Sequence, residues 1–398
     1  MSRHLGPVRH ARAVDGIPGW DALATASPFY LSAPWLRFVD TSPTGEPHYF
    51  ALQDGTGTVA GLPVHWNPRE PHSRYQPATV LRDQGAGPAL TVGGRRGYCS
   101  AVLLPPGRSP AVAAEHTAAL LAGALDELPQ ARGRWWWPYL GPEAVDTVVA
   151  AARLLGPLTA EEVHLVGADC VVDLVGESPE DLRRSLPAKQ RRTNWQREVR
   201  RFAESGLTVR RTRLSEVCEE GAPLLAQVQW KYGHDETVED QRSSLSRQAE
   251  HLDHLSVVFE ARDARGRLAG FSLCYEWGGE LSLRLVGFDY ATAPDSATYA
   301  QVMLHAPLRY CYERGLRRLH LGTESYEAKC RRGARVRPLW AVAPGVPGPK
   351  SAVLDRAHRL AAALPATEAA LFVEAVRTRL ADRPSDTQDT SETSGFQP

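Results

Sequence analysis

The segment "HLGTESYEAKCRRGARVRPLW", residues 320–340, gathers several groups able to do chemistry within a short reach. Lys329 is one of four lysines against 42 arginines, with Glu324, Tyr326 and Glu327 just upstream and Gly333 four residues on. A lysine is a compact cation whose pKa falls readily on burial. At position 329 it suits a phosphate, a substrate carboxylate or a developing oxyanion; deprotonated, it suits a base toward an attacking amine. A solvent lysine at a helix end is the plain alternative. Aminolysis of an ester or thioester needs a neutral amine, and hence a carboxylate placed to take its proton. Asp289, at the end of a strand, is the first candidate and Glu324 the second, with an ordinary surface carboxylate as the alternative for each. Tyr326, together with Tyr299 and Gln301 near the start of the helix after Asp289, are candidate substrate-binding residues. Cys330 adjoins Lys329, but no histidine is paired with it in a way that supports a thiolate nucleophile. His305 reads as a structural histidine.

A second group is basic. "KQRRTNWQREVRRF" carries Lys189, Arg191, Arg192, Arg197, Arg200 and Arg201 against a single acid, Glu198. At 100° per residue Trp195, Val199 and Phe202 form a narrow apolar stripe, with Lys189, Arg197, Arg200 and Arg201 broadly opposite. Such a face is either solvated surface or a phosphate-backbone contact for RNA, which positions a strand without reading its sequence. On the long loop 67–98 and the strand before it, Trp66, Arg69, His72, Arg74 and Tyr75 are placed to shape an acceptor pocket, of which Arg74 and Trp66 are the first choices. "RWWWPYLG" puts three tryptophans in a row, and alternation along a strand predicts that at least one lines a surface or interface.

These groups sit in a chain of 398 residues, long enough for two domains. Lys plus Arg equals Asp plus Glu, 46 each, so a nucleic-acid or anion site has to be a local patch and no general attraction to DNA exists. Six cysteines without a CxxC or a Cys/His cluster predict a reduced, cytoplasmic chain with no metal. No apolar run approaches a membrane span, and the N-terminus has no signal-peptide core.

The elements that must position the groups follow from periodicity and turn signals. Residues 1–18 read as an irregular arm, 19–160 as a first domain, 161–345 as a second, 346–381 as helices, and 382–398 as a disordered tail. In the first domain strands "HYFALQD", "TVAGLPVHW", "CSAVLLP" and "RWWWPYL" alternate with helices at 111–128 and 143–155. The second opens on "DCVVDL" and the basic helix. It then gives strand 207–212, helices 214–232 and 238–254, strands 256–262, 267–277 and 280–289, helix 296–314, strand 317–321, a short helix 325–332 and strand 335–343.

That order is similar to the GCN5-related N-acetyltransferase (GNAT) topology. "SPFYLSAPWLRFVDTS", "VAGLPVHWNPREPHSRYQ", the basic helix and "LHLGTESYEAKCRRGARVRPLW" resemble, in the same sequence order, segments of the Fem-like peptidoglycan-biosynthesis and predicted N-acyltransferase proteins. The resemblance covers residues 20–345. It implies an α/β (α+β) fold of two tandem GNAT-like domains, each a mixed sheet flanked by helices, and transfer of an acyl group to the amine of a small-molecule or peptidoglycan-type acceptor. It implies aminoacyl-tRNA as donor, with Lys189, Arg192, Arg197, Arg200 and Arg201 contacting the tRNA and no bound cofactor. Acetyl-CoA users of this topology carry a Q/R-x-x-G-x-G/A loop after the fourth strand; the equivalent "FDYATAPDSATYAQ" has no glycine, and Asp289 or Asp295 facing the site would repel pyrophosphate. An acyl-CoA-dependent enzyme and a non-catalytic RNA or glycan-precursor binding protein are the alternatives.

Overall fold

A computed structural model describes residues 6–42, 44–82, 87–131, 133–291 and 296–381. Asp295 and the tail 382–398 lie outside the described residues. Among the described residues twelve strands form one mixed sheet: β1 (Val8–Ala11), β2 (Glu46–Asp54), β3 (Gly57–Trp66), β4 (Leu90–Val92), β5 (Trp135–Leu140), β6 (Val163–Asp173), β7 (Thr208–Thr212), β8 (Ser256–Arg262), β9 (Leu268–Trp277), β10 (Glu280–Phe288), β11 (Arg318–Gly322) and β12 (Arg335–Val342). Their order across the sheet is β1-β2-β3-β4-β5-β12-β6-β11-β10-β9-β8-β7. Every neighbouring pair is antiparallel except β4–β5 and β10–β11. The last strand, β12, lies between β5 and β6 and pairs with both, so the two halves of the chain share one sheet.

The order expected for the second half is the order found, with boundaries within a few residues except at β6, which starts at Val163 and not at Asp169. The apolar alternation and the hairpin turns "DARG" and "GG" carry that information locally. Elsewhere the expectations need correction. Val8–Ala11, expected to be irregular, is an edge strand paired with β2. "CSAVLLP" is not a strand: only single bridges at Ser100 and Leu103 tie it to its neighbours. Trp135, Trp136 and Trp137 are all buried, because both faces of β5 are covered. Trp135 and Trp137 join the core with Leu120, Leu121 and Val145, while Trp136 packs with Val80, Val166 and Leu339 on the other side.

Residues 350–381 form a helix pair, Lys350–Ala361 and Ala366–Ala381. Val353, Ala357, Phe372 and Val376 return to the same core as Trp137 and Trp340. The helix after β10 runs from Ser296 to Glu313 with a π-turn at Gln301–His305. Pro307 has no N–H and its ring crowds the preceding turn, which the wider turn relieves. None of the described helices is long and apolar enough to cross a membrane.

Candidate active site

Strands β10 and β11 start as a parallel pair but keep register only for Glu280–Ser282 against Arg318–His320. β10 then shifts against β9 between Leu283 and Leu285, and β11 shifts against β6 between His320 and Gly322. The two strands therefore part, and the carbonyls at the end of β11 lack a continuous ladder. Lys329 repairs that gap. Its Nζ donates to the carbonyls of Leu321, Gly322 and Thr323 at 2.7, 3.3 and 2.8 Å, and the residue is 5% exposed. Burial lowers its pKa against the opposing influence of Cys170 and Asp169. An ammonium has three donors, and all three are spent. Lys329 thus holds the parted end of β11 rather than presenting a free cation to substrate, which corrects the first expectation for it.

The next residues are Glu324 and Ser325, both left-handed at φ 65° and 49°. Consecutive non-glycine residues in that region are costly and persist only where surroundings hold them. Here Arg74, on the loop from the first half, forms an ion pair with Glu324, and Tyr139 Oη donates to the Arg74 carbonyl at 2.5 Å. Tyr326 Oη donates to the Ala168 carbonyl at 3.3 Å, and burial pushes its pKa up to about 12. Burial does the same to Tyr299, over whose ring Arg332 lies at 6.0 Å. Gln301 is buried at the start of the π-turn. Asp289 accepts from the Ala291 amide at 3.0 Å, closing the turn at the open end of β10. Trp66 ends β3 against the first-half core. The structure therefore gathers Arg74, Glu324, Tyr326 and Lys329 around the end of β11. Asp289 stands at the end of the strand that parts from it.

The basic helix spans Lys189–Glu204. Lys189, Arg197, Arg200 and Arg201 are exposed on it. Arg192 is half-buried and donates to the Leu186 carbonyl at 2.5 Å, so it holds the helix start. Arg191 makes a two-point pair with Glu368 on the last helix. The apolar stripe is narrower than expected: Val199 is 45% exposed, and Glu198 turns inward to Arg332 and His305, while Glu204 at the helix end lies 3.8 Å from Arg200. His305 is buried, its ring against Trp195 at 4.6 Å. Cys330 is fully buried.

What spacing did not reveal lies on four adjacent strands. His320 on β11 meets Asp169 on β6 at 2.9 Å and Cys99 at 3.2 Å, all through Nε2, and Arg337 on β12 reaches Asp169 at 3.3 Å. Burial opposes charging His320, but Asp169 outweighs it and raises the imidazole well above its ordinary value. The same pair, with Arg337, lowers Asp169 despite its burial, while burial raises the Cys99 thiol. Cys99, Asp169 and His320 are also close enough to share a metal ion, a cluster invisible in the linear sequence. With imidazolium and guanidinium already neutralising the carboxylate, the arrangement is an ion-pair network around a thiol. Beside it, on β10, the Arg284 guanidinium is stacked between Trp35 and Tyr98 at 5.1 and 5.0 Å. A signal for these residues did exist. Asp169, Arg284 and His320 are lone charged or titratable groups inside otherwise apolar runs, "DCVV", "LSLRLV" and "LHLG".

Residues 189–329 match a family model described as an acetyltransferase (GNAT) domain. The match runs from the basic helix through β10 and β11 to Lys329. Among solved structures the fold is similar to a "Crystal structure of FemX", with TM-score 0.59 and 10% identity over 84% of this chain and 97% of that one. It is also similar to a conserved protein of unknown function from Bacteroides thetaiotaomicron VPI-5482, with TM-score 0.55 and 9% identity over 85% and 99%. A tandem GNAT protein from the clavulanic acid biosynthesis pathway aligns at TM-score 0.48 and 14% identity over 85% and 99%. No curated protein matches the sequence. The domain match thus covers residues 189–329, the part of the chain that holds β10, β11 and Lys329, and the likeness to FemX is one of fold.

Proposed function

We propose that the protein transfers an aminoacyl group from aminoacyl-tRNA to the amine of a small-molecule or peptidoglycan-type acceptor, forming an amide. The observation that carries this reading is the exposed row Lys189, Arg197, Arg200 and Arg201 on a helix of the same half as the β10–β11 cleft, in a chain with no net charge. Such a row fits the phosphates of an acceptor arm. The solved structure it resembles, FemX, supports the fold alone. The glycine-free stretch after β10 weighs against a pyrophosphate cradle and so against acyl-CoA, which stands as the second reading. No bound cofactor is part of the proposal.

In this mechanism the amine and the ester carbonyl meet at the open end of the cleft. Glu324, its position fixed by Arg74 and by the left-handed backbone, takes the amine proton as the C–N bond forms and returns it to the ribose oxygen of the tRNA, which leaves as the ester C–O bond breaks. Lys329 holds the carbonyl row of Leu321–Thr323 in place behind it and so acts as a positioning residue. Most of the rate enhancement comes from holding the reactants in an attack geometry.

Binding of charged bulk tRNA and of acetyl-CoA, titrated at several salt concentrations, tests the proposal. The comparison protein carries Arg197→Ala, Arg200→Ala and Arg201→Ala. Salt-sensitive tRNA binding that weakens in the triple variant is expected, with the log–log salt slope falling by roughly 0.7 to 0.9 for each phosphate that is no longer neutralised. Micromolar acetyl-CoA binding untouched by the substitutions, without tRNA binding, would overturn it.

A further inference from the structure

Arg284 is a charge without a counter-ion among the described residues. Its Nε and Nη1 are shut off from solvent and have no hydrogen-bond partner there. The neighbours that act on it most are phenols, those of Tyr98, Tyr30, Tyr275 and Tyr75, and not carboxylates. Tyr30 is 2% exposed, and its hydroxyl likewise has no partner. The nearby acid, Asp169, is already committed to His320 and Arg337. His320 Nδ1 and Arg337 Nε, both buried, are unpartnered as well.

Each of these unpartnered groups is a donor once His320 is protonated. Four donors of charged groups and one phenol outnumber the acceptor beside them, Asp169 Oδ1, which has no hydrogen-bond partner and is ion-paired to His320, and they are costly unless something supplies further oxygen acceptors and negative charge. Stacking on Trp35 and Tyr98 compensates part of that cost for Arg284 but satisfies none of its N–H groups. Stacking also fixes the plane of the guanidinium, which is what two-point recognition of a carboxylate or phosphate needs.

We infer that Arg284 and Tyr30 form a subsite for an anionic oxygen group, a carboxylate or a phosphate, carried by the acceptor. This rests on the reading of the β10–β11 cleft as the acyl-transfer site. The faces of the sheet decide between acceptor and donor. Trp195 and Phe202 of the basic helix pack with Leu281 and Leu283 on one face of β10. Tyr30 and Trp35 pack with Leu273 and Tyr275 of β9 in a separate core, and Arg284 falls at the bulge where β10 turns toward them. Nucleic acid on the basic helix is therefore on the far side of the sheet from Arg284. The shared chemistry is an oxyanion; a dicarboxylate and a diphosphate are its two sources.

The test compares the wild-type full chain with Arg284→Met and Arg284→Lys, using succinate and pyrophosphate as probes. Binding is read by ligand-observed NMR, and stability by thermal melting with and without each probe. One probe is expected to bind saturably and to raise the wild-type melting temperature. Its affinity falls at least tenfold in Arg284→Met and is partly kept in Arg284→Lys. Without probe, Arg284→Met melts at or above the wild-type temperature, because an unpaired charge is replaced by an apolar chain. A response to succinate alone assigns a carboxylate, and a response to pyrophosphate alone assigns a phosphate. Equal binding by wild type and Arg284→Met, or no binding of either probe, overturns the subsite. So does a melting temperature that collapses in both variants, which would make Arg284 a structural residue. None of these outcomes depends on aminoacyl transfer, so tRNA-dependent activity with no anion binding would sink this inference alone.

Discussion

His320 and Asp169 are held in opposite charge states that neither would keep alone at this depth, and that has a measurable pH signature. The folded value of His320 lies well above its ordinary 6.5, so the pair contributes fully below that value and fades as pH rises through the folded one. Asp169 is lowered, so its contribution is present above the ordinary carboxylate value and is lost as pH falls. Urea unfolding of the wild type between pH 6.5 and 9 is expected to show stability declining with pH. Asp169→Asn should remove about 3–5 kcal/mol at pH 7 and flatten that decline. An unchanged slope in the variant would mean that His320 is neutral in the folded protein. Glu324 offers the opposite contrast. Its pair with Arg74 is exposed, so Glu324→Gln should cost no more than about 1 kcal/mol in stability. As the group that takes the amine proton, it should cost about 10²–10⁴ in kcat. Loss of both together in a melting and turnover comparison would demote Glu324 to a structural link.

At the scale of elements, local patterning specified the second half because most of its strands are single apolar-rich runs bounded by turn signals such as Gly or an Asp-turn. The first half was harder to read. Between β3 and β5 the chain has a three-residue strand, single bridges and the loop "GGRRGYCS", whose conformation depends on what packs above it. The same loop delivers Tyr98 and Cys99 to strands of the other half, so the polar cluster beside the cleft could not be read from spacing: its members are 98–99, 169, 284, 320 and 337. Gly93 shows how tightly that loop is set. It has φ 83°, and an added Cβ would fall 1.8 Å from Trp137 Nε1. Gly93→Ala should therefore destabilise by more than about 1 kcal/mol through backbone strain, with a further cost from displacing Trp137. Chemical denaturation followed by tryptophan fluorescence measures it, and a neutral result would show that the loop can move away from β5.

For the molecule as a whole, β12 is the joint. Trp340 is fully buried, and its strand pairs with β5 on one side and β6 on the other. Trp340→Ala should cost about 3–5 kcal/mol. Because the sheet is shared, far-UV circular dichroism and tryptophan fluorescence should still report one coincident transition. Two separated transitions in the variant would show that each half is stable without the joint.

The position of that joint in the chain also sets an order of events during synthesis. The edge of β5 that β12 covers is made by residue 140, but its partner begins at residue 335. At about 5–20 residues per second, that edge waits roughly 10–40 s for the strand that closes it. Until then a run of three tryptophans borders an unpaired backbone, an inviting template for another nascent chain. The protein's yield in a cell should therefore respond to ribosome speed and to chaperones that shield open strands, even where the finished molecule is stable.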